Sequence, residues 1–420
     1  MSTRFLFVIL FSFMSLHSTD LPASDSTPPI PIVQLFESGK PVTIVCFGDS
    51  ITGTYYHTGG RRAWTDTLGQ TLQELYPQAQ LEMINAGISG NTSAHGLERM
   101  ETDVLAHKPD LIVVMFGMND TAHLTPEDLR NNLRKIVQKC QASGSEVVLM
   151  TPNAVSADDS IRPPEKLTIF AEVVREIAHK YQLPLADTYR VYEEIRLNNP
   201  PEWIRIMSDA IHPNMRGHRL FASILGETIS GRKIAPPELP ILRPRLPHLK
   251  SLLEAGRPVR ITAMKPLDTL IEIAIHSLYP EAQLEIKTWD PAGKSISELE
   301  AEAKQNGWFH YNENPDLPKP DLTIVAVPSA AFVELDAKTY RSFGWVINWS
   351  QSFGNDPRAD CLPILPSVWE DSFSESDRAA EQFALEGILD IDLPSIQRAP
   401  DDQTSPAELI AHALSEMLRE

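Results

Sequence analysis

The sequence predicts an α/β protein with a parallel sheet covered by helices on both faces, built twice in tandem. Three observations carry this. Between Val42 and Ser230, short runs rich in β-branched residues alternate with longer helical patterns. Strands spaced by helices of that length require right-handed crossovers, which give a parallel sheet. Beyond a proline-rich stretch near residue 240, segments of the first half recur in the same order.

Residues Met1 to about Ser18 carry Arg4 followed by the apolar run from Phe5 to Leu16. That run is too short to span a bilayer and has the proportions of a secretory signal, with an uncleaved anchor as the alternative. Export to the periplasm or the extracellular space is the expectation. Residues 19–37, rich in Ser, Thr, Asp and Pro, read as a flexible lead-in. The chain of 420 residues is 42% apolar and 22% charged with a formal net charge of −19, which suits a large buried core and opposes a nucleic-acid partner. Three cysteines are too few for a disulfide framework. Cys46 reads as a small buried hydrophobe, and a single Cys140–Cys361 bridge stays open.

The expected strands are Val42–Phe47, Leu81–Asn85, Leu111–Phe116, Val147–Thr151 and Pro184–Asp187. The expected helices are Ala63–Leu75, Ala94–His107, Pro126–Ser143, Pro163–Tyr181 and Met215–Ile229. The first strand stops at Gly48-Asp49-Ser50, delivering a hydroxyl to the carboxyl edge of the sheet, where open α/β folds keep their ligands. Alternatively, Asp49 and Ser50 simply begin a turn. Gly87-Ile88-Ser89-Gly90-Asn91-Thr92 follows the second strand, and its glycines let a backbone amide approach a ligand. Gly117-Met118-Asn119-Asp120 follows the third and offers a side-chain amide. Late in this half, Asp209 stands three residues before His212, so that a carboxylate can fix one imidazole nitrogen and leave the other as a base. Each feature alone also reads as an ordinary turn or cap.

Together these four blocks, in this order, resemble those of the SGNH hydrolases, the GDSL esterase superfamily, over roughly Pro41 to Gly231. The resemblance implies a three-layer, flavodoxin-like α/β/α sandwich with Ser50 as nucleophile, His212 as base and Asp209 orienting it. It further implies an oxyanion hole from the amides of Ser50 and Gly90 and the side chain of Asn119, with no metal or other cofactor. Asn91 stands where the family often has Asp. Thr52, where the α/β-hydrolase elbow has glycine, separates the motif from that fold. The implied activity is hydrolysis of a small-molecule or glycan ester. Resemblance to exported carbohydrate esterases favours O-deacetylation; a lysophospholipase or thioesterase and a non-catalytic glycan-binding protein are the alternatives. Tyr55, Tyr56, Arg61, Arg62 and Trp64 follow the nucleophile directly. Either they bind a polar acyl ester or the aromatics pack their loop onto the sheet.

Residues 233–248 read as a stiff proline-rich linker between the SGNH-like domain, 38–232, and a second domain, 249–420. Tyr279-Pro280-Glu281-Ala282-Gln283-Leu284-Glu285 repeats Tyr76 to Glu82 at six of seven positions, and Lys319-Pro320-Asp321-Leu322 repeats Lys108 to Leu111. In this alignment Ser50 falls on Leu267, Asn119 on Ala330 and His212 on about Ser405, while Gly90 matches Gly293. The second copy is therefore expected to be non-catalytic, a packing partner or a glycan-binding module. Its Trp289, Trp308, Tyr311, Trp345 and Trp349 are either core residues or stacking faces.

Overall fold

The computed structural model describes residues 30–353, 359–370 and 373–419. The expected signal segment lies outside them. Five parallel strands form the first sheet: β1 (Pro41–Gly48), β2 (Gln80–Gly87), β3 (Leu111–Met115), β4 (Glu146–Met150) and β5 (Leu185–Ala186), in the order β2-β1-β3-β4-β5. Side chains alternate across the pleat. Ile44, Cys46, Val113 and Met150 enter one core with the helices Trp64–Leu75 and Met215–Ser230. Val45, Phe47, Val114 and Leu149 enter the other, under Ser93–Asp103, Pro126–Ala142 and Pro164–Tyr181.

A second parallel sheet follows, with β6 (Val259–Met264), β7 (Leu284–Trp289), β8 (Leu322–Val325) and β9 (Asp360–Pro363) in the order β7-β6-β8-β9. This is the order of the first four strands of the first sheet. A separate apolar core fills it. Gly90 and Gly293 both take left-handed φ, +75° and +71°.

The proline-rich segment is strapped down along the first half. Arg219 Nε donates to Pro237 O at 2.5 Å, Gln70 Nε2 to Glu238 O at 2.9 Å and an Arg62 amino group to Pro240 O at 2.9 Å. The halves also pack directly: Pro200–Ile206 lies against Ala337–Trp349 and Glu375–Ile391, and the latter also meets Met215–Ser230. Cys46, Cys140 and Cys361 are all free and buried, which closes the question of a Cys140–Cys361 bridge. Burial pushes all three thiols well up. Among the described residues no helix is long and apolar enough to cross a membrane.

Candidate active site

Every block singled out in the first half lies at the carboxyl edge of the first sheet. The chain can turn sharply after β1 because Gly48 has no side chain: a Cβ there would sit 2.2 Å from Thr52 Oγ1 and 2.7 Å from Met115 O. Gly87 is equally constrained, with Gly53 N at 2.2 Å from a built Cβ. Asp49 closes the turn, its carbonyl accepting from the Thr52 and Gly53 amides and its Oδ1 from Ile51 N at 2.9 Å. Ser50 is thereby presented at the sheet edge.

His212 comes from a tight loop before the helix Met215–Ser230. An isolated antiparallel bridge between Met207 and Pro213 closes its base, and Ser208 N donates to His212 O at 2.8 Å. Asn153 Nδ2 holds Ile211 O at 2.9 Å and Ser156 N holds Ala210 O at 2.8 Å. Inside the loop, Asp209 Oδ1 accepts from Ile211 N at 2.8 Å and His212 N at 2.7 Å. Its Oδ2 accepts from His212 Nδ1 at 2.7 Å and from Tyr56 OH at 3.1 Å. Burial opposes ionisation of this carboxyl, but the His212 charge and these hydrogen bonds outweigh it and hold Asp209 well below the usual carboxylate range. With Nδ1 donating to a carboxylate, Nε2 is the free nitrogen, and it accepts from Ser50 Oγ at 2.9 Å.

Two further imidazoles lie behind His212. His57 stacks on it almost face to face, centroids 4.8 Å apart and planes inclined by 10°, with its Nε2 at 3.2 Å from Ser50 O. His218 follows at 5.4 Å from His57, its Nδ1 accepting from Trp64 N at 2.9 Å. Burial first, then the proximity of His212, lowers His57 to about 3, and burial followed by the proximity of His57 lowers His218 well below its ordinary value. Both rings are therefore neutral and do not compete with His212 for a proton.

The candidate oxyanion donors lie after β1, β2 and β3. The Gly90 and Ser50 amides make no hydrogen bond among the described residues. Asn119 Nδ2 donates to Asn91 O at 3.1 Å and lies 3.4 Å from Asp49 Oδ2, so one N–H is tied and the other only loosely held. The loops around it are fixed by Asp120, which accepts from the Ser93 hydroxyl and from the Ser93 and Gly117 amides. Arg99 bridges Asn91 Oδ1 at 2.7 Å to Gly48 O at 2.8 Å, so the unusual Asn91 ties its loop to the end of β1.

Residues 46–220 match the sequence model of the GDSL-like lipase/acylhydrolase family. This segment is a GDSL-like hydrolase domain. The acetylxylan esterase of Geobacillus stearothermophilus is 28% identical over 162 residues, which is 36% of this chain and 73% of that protein. Thioesterase 1/protease 1/lysophospholipase L1 of Escherichia coli K12 is 28% identical over 184 residues, 44% of this chain and 81% of that protein. Among solved structures, an acetyl xylan esterase, AlAXEase, is 26% identical with a TM-score of 0.40, covering 45% of this chain and all of that one.

The aromatic and arginine residues after Ser50 in the GDSL-like domain do not form one substrate surface. Trp64 is fully buried in the core. Arg62 is buried too, forked onto Asp392 of the second half at 2.7 and 2.8 Å. Arg61 is half-buried and reaches Arg245 O at 3.4 Å. Trp64 and Arg62 are corrected from substrate ligands to packing and tethering residues; a guanidinium neutralised by a carboxylate is not free for an ester. Tyr56 is buried beneath Asp209. Tyr55 alone of the five borders the donor loop, its hydroxyl accepting from Ser89 N at 2.8 Å.

Asp49 yields a prediction about stability. Burial raises its carboxyl to about 7. Between about pH 4 and 7 the folded chain thus binds this proton more tightly than the unfolded chain does, and that contribution to stability is lost as pH rises. Asp49→Asn keeps an acceptor for Ile51 N but cannot titrate. Its unfolding free energy relative to wild type is expected to improve from pH 4.5 to pH 7.5 by about 3 kcal/mol. Urea melts at both values read this directly, and a pH-independent difference would refute it.

Proposed function

We propose that the chain is an exported serine esterase acting on O-acetylated carbohydrate. The observation that carries the catalytic part is the continuous relay from Ser50 Oγ through His212 to Asp209, at 2.9 and 2.7 Å. A serine hydroxyl is a weak nucleophile near neutral pH. His212 Nε2 takes its proton as Ser50 Oγ bonds to the ester carbonyl carbon. The carbonyl oxygen becomes an oxyanion, met by the Ser50 and Gly90 amides and the loosely held Asn119 N–H. Collapse expels the alcohol, which takes the proton back from His212, and leaves an acetyl group on Ser50. Water, deprotonated by the same nitrogen, then releases acetate.

Support for a carbohydrate ester comes from the acetylxylan esterase relative. The Escherichia coli thioesterase and lysophospholipase relative, at the same identity, supports acyl hydrolysis of lipids or thioesters as the second reading. Export rests on Arg4 and the Phe5–Leu16 run. Residues 249–420 belong to this proposal as a degenerate second copy: Leu267, at the Ser50 position, is buried and opens a helix, and Ser405 caps one.

The test is a fluorophosphonate probe on the full chain, with the adduct located by mass spectrometry. An adduct on Ser50, and faster turnover of acetylated xylo-oligosaccharides than of lysophospholipids or acyl thioesters, is the expected result. Absence of the adduct in folded protein would remove the esterase reading. The reverse substrate ranking would favour the lipid reading.

A further inference from the structure

We propose that the second half is a working part of the reaction centre: through Gln351, Trp308 and Trp345 it seats Tyr56, and the Tyr56 hydroxyl fixes the Asp209 carboxylate. This rests on the esterase reading of Ser50 and His212.

The contacts form an unbroken series. Tyr56 OH donates to Asp209 Oδ2 at 3.1 Å, the same oxygen that receives His212 Nδ1. The Tyr56 ring stacks on Trp308, centroids 5.4 Å apart and planes inclined by 26°, and meets Trp345 at 5.7 Å. Its carbonyl accepts from Gln351 Nε2 at 3.2 Å in a buried bond. The other flank of Asp209 is gripped from the same half, because Asn348 Nδ2 donates to Ser208 Oγ at 2.7 Å and Trp308 Nε1 donates to Asn348 O at 2.9 Å. Trp308 and Trp345 are half-buried, whereas Trp289 and Tyr311 belong to the second half's own interior.

Tyr56 suits the task chemically. Burial, and then the neighbouring Asp209 charge, push its phenol well above its ordinary value, so it remains a neutral donor. Two backbone amides fix Oδ1, but among the described residues Oδ2 has only His212 and Tyr56. Without the phenol, His212 Nδ1 is the one remaining partner of Oδ2 among the described residues, and the carboxylate charge falls more heavily on the imidazole. Tyr56 is therefore a positioning residue, acting on Ser50 through Asp209 and His212.

Tyr56→Phe in the full chain keeps the ring packing and removes only the donor. The expected result is a roughly tenfold fall in kcat with unchanged KM, and slower fluorophosphonate labelling of Ser50. The acid limb of the pH–rate profile should move to higher pH, because His212 then holds its proton longer; a purely structural role would leave that limb in place. Gln351→Ala should lower kcat in the wild-type chain and cost nothing further on the Tyr56→Phe background. Wild-type kcat and an unmoved limb for Tyr56→Phe overturn the proposal, as do additive effects of the two changes. A wild-type chain that the probe does not label at Ser50 overturns the esterase reading itself, and this proposal with it.

Discussion

Replacing Ser50 with alanine is expected to lower kcat for ester hydrolysis by about 10⁴- to 10⁶-fold. Among the described residues no other hydroxyl is hydrogen-bonded to His212 Nε2. His212 Nε2 is the one partner of Ser50 Oγ among the described residues. The turn itself is held by Asp49 and its backbone bonds rather than by the serine side chain. The fold should therefore survive, with a melting temperature within a few degrees of wild type. Because the three groups act as a unit, adding His212→Ala on top of Ser50→Ala should cost little more. Steady-state rates on an aryl acetate, read beside thermal melts, separate lost chemistry from lost structure. Activity above about 1% of wild type in Ser50→Ala would require another nucleophile.

The juxtaposition of Ser50, His212 and Asp209 was legible in the sequence because its determinants are local. A strand stopped by Gly48, and an Asp-x-x-His loop whose own amides satisfy Asp209, are both written within a few residues. The parallel order was legible for the same reason, since helix and strand patterns alternate without interruption. The short helices Met118–His123, Thr188–Asn198 and Pro200–Ile206 were not expected. Met118–His123 and Pro200–Ile206 are too brief for an apolar period, and caps open the last two helices, Asp187 accepting from Arg190 N and Asn199 from Glu202 N with Pro200 in the first turn. β5 is only Leu185–Ala186 because Asp187 leaves the sheet to cap the next helix.

The loop after Ser50 was misjudged for a different reason. Arg62 and Asp392 are 330 positions apart, and Tyr56 and Gln351 are 295 apart, so no local pattern announces either pairing. Tyrosine, tryptophan and arginine beside a nucleophile look alike whether they face a ligand or another part of the chain. The bonds of Tyr56 to Gln351 and of Arg62 to Asp392 give a physical reason for the loop: one half carries Ser50, Asp209 and His212, and the loop is where the other half meets them. Sequence reasoning gave His57 no part in the site, finding only that it lacks metal-ligand spacing with the other histidines. Its stacking on His212 depends on tertiary packing and has no spacing signal.

Asn119→Ala is expected to reduce kcat by about 10²- to 10³-fold, the effect of removing one preorganised oxyanion donor, with KM nearly unchanged. The Asn119 side chain does two things in the free protein. One N–H bridges to Asn91 O at 3.1 Å and ties the loops after β2 and β3 together. The other is held only by the 3.4 Å approach to Asp49 Oδ2, a long contact that a developing oxyanion would outbid. Losing the bridge alone would cost about 0.5–1.5 kcal/mol of stability, which a urea melt detects. Losing the second donor acts only where negative charge forms on the carbonyl oxygen, so it must appear in kcat. Asn119→Asp sharpens the comparison, because it preserves the volume while replacing a donor with a second carboxyl beside Asp49. It should be at least as slow as the alanine variant. A variant with raised KM and intact kcat would instead assign Asn119 to holding the substrate's ground state, and the oxyanion would then have to rest on the Ser50 and Gly90 amides alone.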